Sequence, residues 1–188
     1  MKSILATLWL KAVPKKIMET AKTIDADIIL MSNKGGDDSL NFFGSNTTEV
    51  IRHSDTPILL VPFETEFRDL SKVVYATDYR DTDGEAIEQL INIFDQTDVK
   101  LYSLHIHPSS NAPKITEIHS SYKDLNLEFD VINAEDVLKG IHYFIDEHQI
   151  QVLTMNRKKK NLVTQLFSPS ITEKMVADSF FPVLVINT

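Results

Sequence analysis

"ADIILMSN" (Ala26–Asn33) is an apolar run with a methionine, Met31, near its end, and "IQVLTMNR" (Ile150–Arg157) is built the same way around Met155. Met31 and Met155 lie 124 residues apart, and the same offset aligns Val13 with Val137, Ile17 with Ile141 and Ile28-Ile29 with Val152-Leu153. Further on, "TPILLVPF" and "FPVLVINT" align Pro57 with Pro182 at 125, so one residue has entered or left the intervening loop. A period this long exceeds any solenoid repeat and predicts a duplicated domain.

Working outward from the second run, the chain alternates strand and helix. After Leu70 come strand "KVVYATD", helix "EAIEQLINIF", strand "VKLYSLHI", helix "KITEIHSSYKDL" and strand "LEFDVI". Helix "EDVLKGIHYFIDEH", strand "QVLTM", helix "SITEKMVADS" and strand "PVLVIN" follow. The strands are nearly continuous apolar runs, and the helices carry apolar residues three and four apart, as at Val137, Ile141 and Ile145. That alternation predicts an α/β domain whose parallel sheet is covered on both faces. The first copy starts only at the second copy's third strand, with "SILATLW" (Ser3–Trp9) opposite "LEFDVIN" and therefore expected to be a strand. The expected division is a partial domain over residues 1–65, lacking the first two strands and helices, and a complete one over 66–188. The polar "FETEFRDL", between Leu60 and Leu70, is the junction.

The bulk composition narrows the function. Of 188 residues 43% are apolar, with five Gly and seven Pro, which is ample for a globular core. A formal charge of −8 argues against a general binder of nucleic acid or anionic membrane, both of which need a basic surface. The absence of cysteine removes disulfides, thiol nucleophiles and cysteine-ligated metals, and fits a cytoplasmic location. No apolar stretch reaches the length of a membrane span. "MKSILATLWLKAVP" has the outline of a signal peptide, but Lys11 interrupts it and no small-x-small cleavage site follows.

At this point the chain resembles the universal stress protein family in a tandem-domain form. "VVYATDYRDTDGEAIEQL" resembles the family's opening strand, Asp-bearing turn and first helix, and "LYSLHIHP" its second strand. "HQIQVLTMN" and "FPVLVINT" resemble its fourth and fifth strands, and "VIRHSDTPILLVP" in the first copy its last helix end and last strand. The resemblance implies a flavodoxin-like doubly wound parallel sheet of order 3-2-1-4-5, with pairing through the fifth strands. It also implies a site that holds ATP in some members, built from an Asp ending the first strand and a Gly-x2-Gly-x9-Gly-Ser/Thr loop. Members without those glycines do not bind ATP.

Carried over residue by residue, that site is divided between the copies. In the first copy "NKGGDDSLNFFGSNTTEV" keeps Gly35, Gly44 and Ser45, but Ser32 replaces the first glycine, the gap is one residue short, and the Asp-bearing strand is missing. Glycine amides opening a helix suit an anion, although a glycine pair is also an ordinary surface turn. In the second copy Asp78 stands where the nucleotide Asp belongs, but it also reads as a turn or capping carboxylate, with Asp81 and Asp83 beside it as cap candidates. The loop there runs Asn156-x2-Lys159-x9-Pro169-Ser170 without a glycine, and Pro169 has no N–H to donate. "RKKK" (Arg157–Lys160) is either a solvated loop or an anion site working by charge alone.

Other chemistry finds less support. His105 and His107 share a strand face and could begin a zinc site with His119, but the resemblance accounts for His105 without a metal. "DTDGE" opens like a calcium loop, yet its twelfth position is Asn92 instead of Glu. No Ser-His-Asp set stands at elbow spacing, and Tyr75 and Trp9 read as packing residues. The expectation is a non-enzymatic, cytoplasmic stress-response interaction module with weak or no ATP binding. The alternatives are an adenine-nucleotide sensor and, further off, a hydrolase or nucleotidyl-transfer enzyme. The missing strands leave "IILMS" with an open edge, which predicts a homo-oligomer, most simply a dimer.

Overall fold

The computed structural model describes residues 2–32, 45–62, 65–66, 69–77, 83–95, 97–107, 127–157 and 181–188, with side chains from residue 13 onward except Ser45. Its elements are α1 (Lys2–Thr23), β1 (Ile29–Ser32), α2 (Ser45–His53), β2 (Ile58–Val61), β3 (Lys72–Ala76) and α3 (Asp83–Phe94). They continue with β4 (Lys100–His107), β5 (Leu127–Asn133), α4 (Val137–His148), β6 (Val152–Arg157) and β7 (Val183–Asn187). The strands form one seven-stranded sheet in the order β1-β2-β7-β6-β3-β4-β5. Every neighbouring pair is parallel except β2 and β7, which run antiparallel with Leu59 opposite Leu184. The pairing through the two last strands, "ILLVP" and "VLVIN", thus occurs within the chain. The helices expected at "KITEIHSSYKDL" and "SITEKMVADS" lie outside the described residues.

The expected strand at "SILATLW" is instead the first part of α1, which continues through Pro14 to Thr23. Leu, Ala and Lys dominate residues 4–12 and are strong helix formers. A helix also completes its backbone hydrogen bonds within the segment, so it needs no ladder partner.

Alternating side chains divide the core into two layers. On one face Val74, Ala76, Leu104, Leu153, Met155, Val183 and Val185 meet Val50 and Ile51 of α2 and Ile141, Phe144 and Ile145 of α4. On the other, Val73, Tyr75, Leu101, Val152, Leu184 and Ile186 meet Ala86, Ile87 and Leu90 of α3. β7 is buried at all five positions, and β3 at all but its first. β2 alternates between buried and half-buried, and Leu30 in β1 is 66% exposed. Two-sided burial therefore holds for the central strands and fails at β1 and β2, where no described helix covers the second face.

α4 shows how local signals fix an element. Asp136 caps it, accepting the Lys139 N–H at 3.1 Å, and Gln149 closes it in the left-handed region at φ 54°. Inside it, Gly140 is a close-approach residue. A Cβ there would lie 2.9 Å from Ile106 Cδ1 and 3.2 Å from Ala134 Cβ. α1 ends as α4 does: Asp25 has φ 53°, Ala26 N–H reaches Ala21 O at 2.9 Å, and Ile150 N–H reaches Ile145 O at 2.9 Å. Asp25 and Gln149 stand 124 residues apart, the offset of the two apolar runs.

Candidate functional site

Doubly wound sheets bind ligands outside the carboxyl ends of their strands, where the connections switch direction. Here that point lies between β3 and β6: β3 leads through α3 to β4 on one side, and β6 is reached from β5 by crossing back to the other. The side chains around it come from β3, the start of α3, β4, β6 and the chain end.

Asp83, the first residue of α3, is 6% exposed and is the acceptor for two hydroxyls. Tyr75 Oη donates to its Oδ1 at 3.0 Å and Thr77 Oγ1 to its Oδ2. Tyr75 and Thr77 are two apart on an extended segment, so both reach the α3 face. The Thr77 backbone is also engaged on both sides. Its N–H donates to Leu104 O at 2.9 Å, and its carbonyl accepts from buried His105 Nδ1 at 2.9 Å, which places the ring proton on Nδ1. The positive end of α3 thus already carries a buried carboxylate of its own.

Asn156, near the end of β6, is 8% exposed; its Oδ1 accepts Thr188 Oγ1 at 3.0 Å, and its Nδ2 is buried with no partner among the described residues. An orphaned donor costs about 1–3 kcal/mol in such a setting. On the opposite face Arg157 Nη1 donates to Ile51 O at 3.0 Å and Arg52 O at 2.7 Å, closing the last turn of α2. Burial, then the neighbouring Arg52 guanidinium, holds the Arg157 pKa below the usual arginine range. Asn187 Nδ2 donates to Ser54 O at 2.9 Å beside it.

The sequence-derived candidates divide as follows. Ser45 opens α2, with only its backbone described. Gly35, Gly44 and Asp78 lie outside the described residues, as do Lys158–Lys160, Pro169 and His119. Arg157, read in the sequence as part of a charge run, belongs to a strand and binds helix carbonyls. Asp83, read as a cap candidate, is a buried acceptor for two hydroxyls. His105 and His107 have ring centroids 6.0 Å apart, and among the described residues no three ligating side chains gather around a metal position. Sequence inspection missed the Tyr75–Thr77–Asp83 set and the Asn156–Thr188 pair. The one available signal was the two hydroxyls alternating at the end of β3.

Residues 6–62 match the model of the universal stress protein family. No curated protein matches the chain. Among solved structures, a universal stress protein from Archaeoglobus fulgidus DSM 4304 superposes with a TM-score of 0.67 at 18% identity, over 93% of this chain and 64% of that one. A functionally unknown protein from Pseudomonas aeruginosa PAO1 does so with a TM-score of 0.63 at 14% identity, over 93% of this chain and 67% of that one. At such identities the likeness is one of fold. The chain spans about two thirds of the length of these solved chains.

Proposed function

The chain belongs to the universal stress protein family, matched over residues 6–62, and from that premise we propose that it is a non-enzymatic stress-response interaction module with weak or no ATP binding. The carrying observation is Asp83. A nucleotide phosphate is held by free amides and a positive helix end, and at α3 that end is already compensated by a buried anion bonded to Tyr75 and Thr77. A phosphate brought there meets a like charge in a poorly screened setting. Tyr75, Thr77, Asp83 and His105 are tied together by hydrogen bonds, which suits a rigid scaffold better than a reacting centre. No helix among the described residues is long and apolar enough to cross a membrane, and a cytoplasmic location completes the reading.

A second reading, an adenine-nucleotide sensor, draws support from Asn156, whose Nδ2, without a partner among the described residues, is a donor beside the switch point. Thermal melts over increasing Mg-ATP separate the two, because a ligand of the native state raises the midpoint by mass action. An unchanged midpoint up to millimolar Mg-ATP is the expected result. A saturable rise, lost in Asn156→Ala, replaces the module with the sensor. Phosphate release above the buffer rate overturns both.

A further inference from the structure

Two polar atoms of β6 are left over by the hydrogen bonding around them. Thr154 is fully buried and Asn156 nearly so, and Thr154 Oγ1 and Asn156 Nδ2 have no partner among the described residues. The two residues stand two apart on one strand, so their side chains share a face. It is the face of Val152 and Ile186, packed against Ile87 and Leu90 of α3. Thr154 lies opposite Tyr75 in the ladder, which sets the pair beside the hydroxyls that hold Asp83. Two orphaned polar atoms side by side in an interior each weaken the fold unless something satisfies both.

We propose that a single buried water bridges Thr154 Oγ1 and Asn156 Nδ2. The two side chains make no bond to each other. Their Cα atoms are about 6.6 Å apart at the strand rise. Two hydrogen bonds of about 2.9 Å meeting at one oxygen cover a gap of up to about 5.8 Å between the polar atoms. The chemistry matches the spacing. An amide N–H can only donate, a water oxygen accepts it, and one water hydrogen then goes to the Thr154 hydroxyl oxygen. Charge argues against an ion, because the amide N–H repels a cation and the Asp83 carboxylate across the ladder repels an anion. An apolar occupant would leave both atoms unsatisfied. Buried waters take this role in protein interiors, where each keeps two to four polar partners. Asn156 is then held on both sides, by Thr188 through Oδ1 and by the water through Nδ2.

Magnetic relaxation dispersion of deuterium or oxygen-17 counts the waters held longer than the molecule takes to tumble. It uses no nucleotide, so its result is separate from that of the Mg-ATP melts. Thr154→Val keeps the shape and removes the hydroxyl, and it is expected to lose one such water relative to the native chain. Asn156→Leu is expected to lose the same one, so the double variant also loses one and not two. Thr154→Ser, which keeps the hydroxyl, is expected to retain it. Thermal midpoints give a second readout. A bridged hydroxyl is satisfied, so Thr154→Val should lower the midpoint, whereas deleting an orphaned one should raise it. Circular dichroism confirms folding, and Thr154→Val carries the test by itself if Asn156→Leu does not fold. An unchanged count or a raised midpoint in Thr154→Val overturns the proposal. So does a loss of two waters in the double variant, or a loss in Thr154→Ser.

Discussion

Strands β3, β4, β6 and β7 are buried on both faces, while β1 and β2, equally apolar in sequence, are only half-buried on the second. "IILMS" and "PVLVIN" are near-equivalent strings, yet Ile186 is fully buried and Leu30 is 66% exposed. Apolar content records what a strand can bury, and its neighbours decide what it does bury. The central strands have α3 on one face and α4 on the other, whereas β1 and β2 have described helices on one face only.

Substitutions on the two sides should therefore cost very different amounts. The largest effect is expected at Phe144, which is 1% exposed and meets the Tyr102 ring edge-on at 5.8 Å. Phe144→Ala should remove about 3–5 kcal/mol in a urea titration, the range for a large aromatic deleted from a core. Tyr75→Phe keeps the ring and removes one donor from buried Asp83, for a loss of about 1–3 kcal/mol. A loss below the error of the titration would mean that the Tyr75 hydroxyl is not needed to satisfy the carboxylate. Arg157→Met tests the seam between the regions. It takes away two bonds to α2 carbonyls while keeping an unbranched apolar stem, and about 1–2 kcal/mol is expected, discounted for partial exposure. Hydrogen exchange should locate that loss at α2, with β3 and β4 unmoved. The smallest effect belongs to Leu30→Ala, within about 0.5 kcal/mol for the isolated chain. A large loss there would show the second face of β1 to be covered and would erase the contrast.

The alternating strands and helices were legible because period and length carry them: Val137, Ile141 and Ile145 announce α4, and "KVVYA" announces β3. "SILATLW" misled because alignment to a strand says nothing about whether a ladder partner exists, and the helix-forming residues prevailed. The site was less legible. Asp83 finds Tyr75 and Thr77 across a turn that periodicity does not resolve, and Arg157 finds carbonyls more than a hundred residues away. Burial can be inferred from a pattern along the chain, but the direction of a hydroxyl or guanidinium depends on which distant element lies opposite.

Asp25 and Gln149 hold the left-handed turns that end α1 and α4, and neither is glycine. Each side chain crowds its own carbonyl there, at a cost of about 1 kcal/mol. The same small tension is thus stored twice, at matching exits from helix to strand. Asp25→Gly and Gln149→Gly relax it at the expense of a looser unfolded chain, for a net gain of a few tenths to about 1 kcal/mol. These two bends are where the molecule can be made sturdier with its interior left untouched.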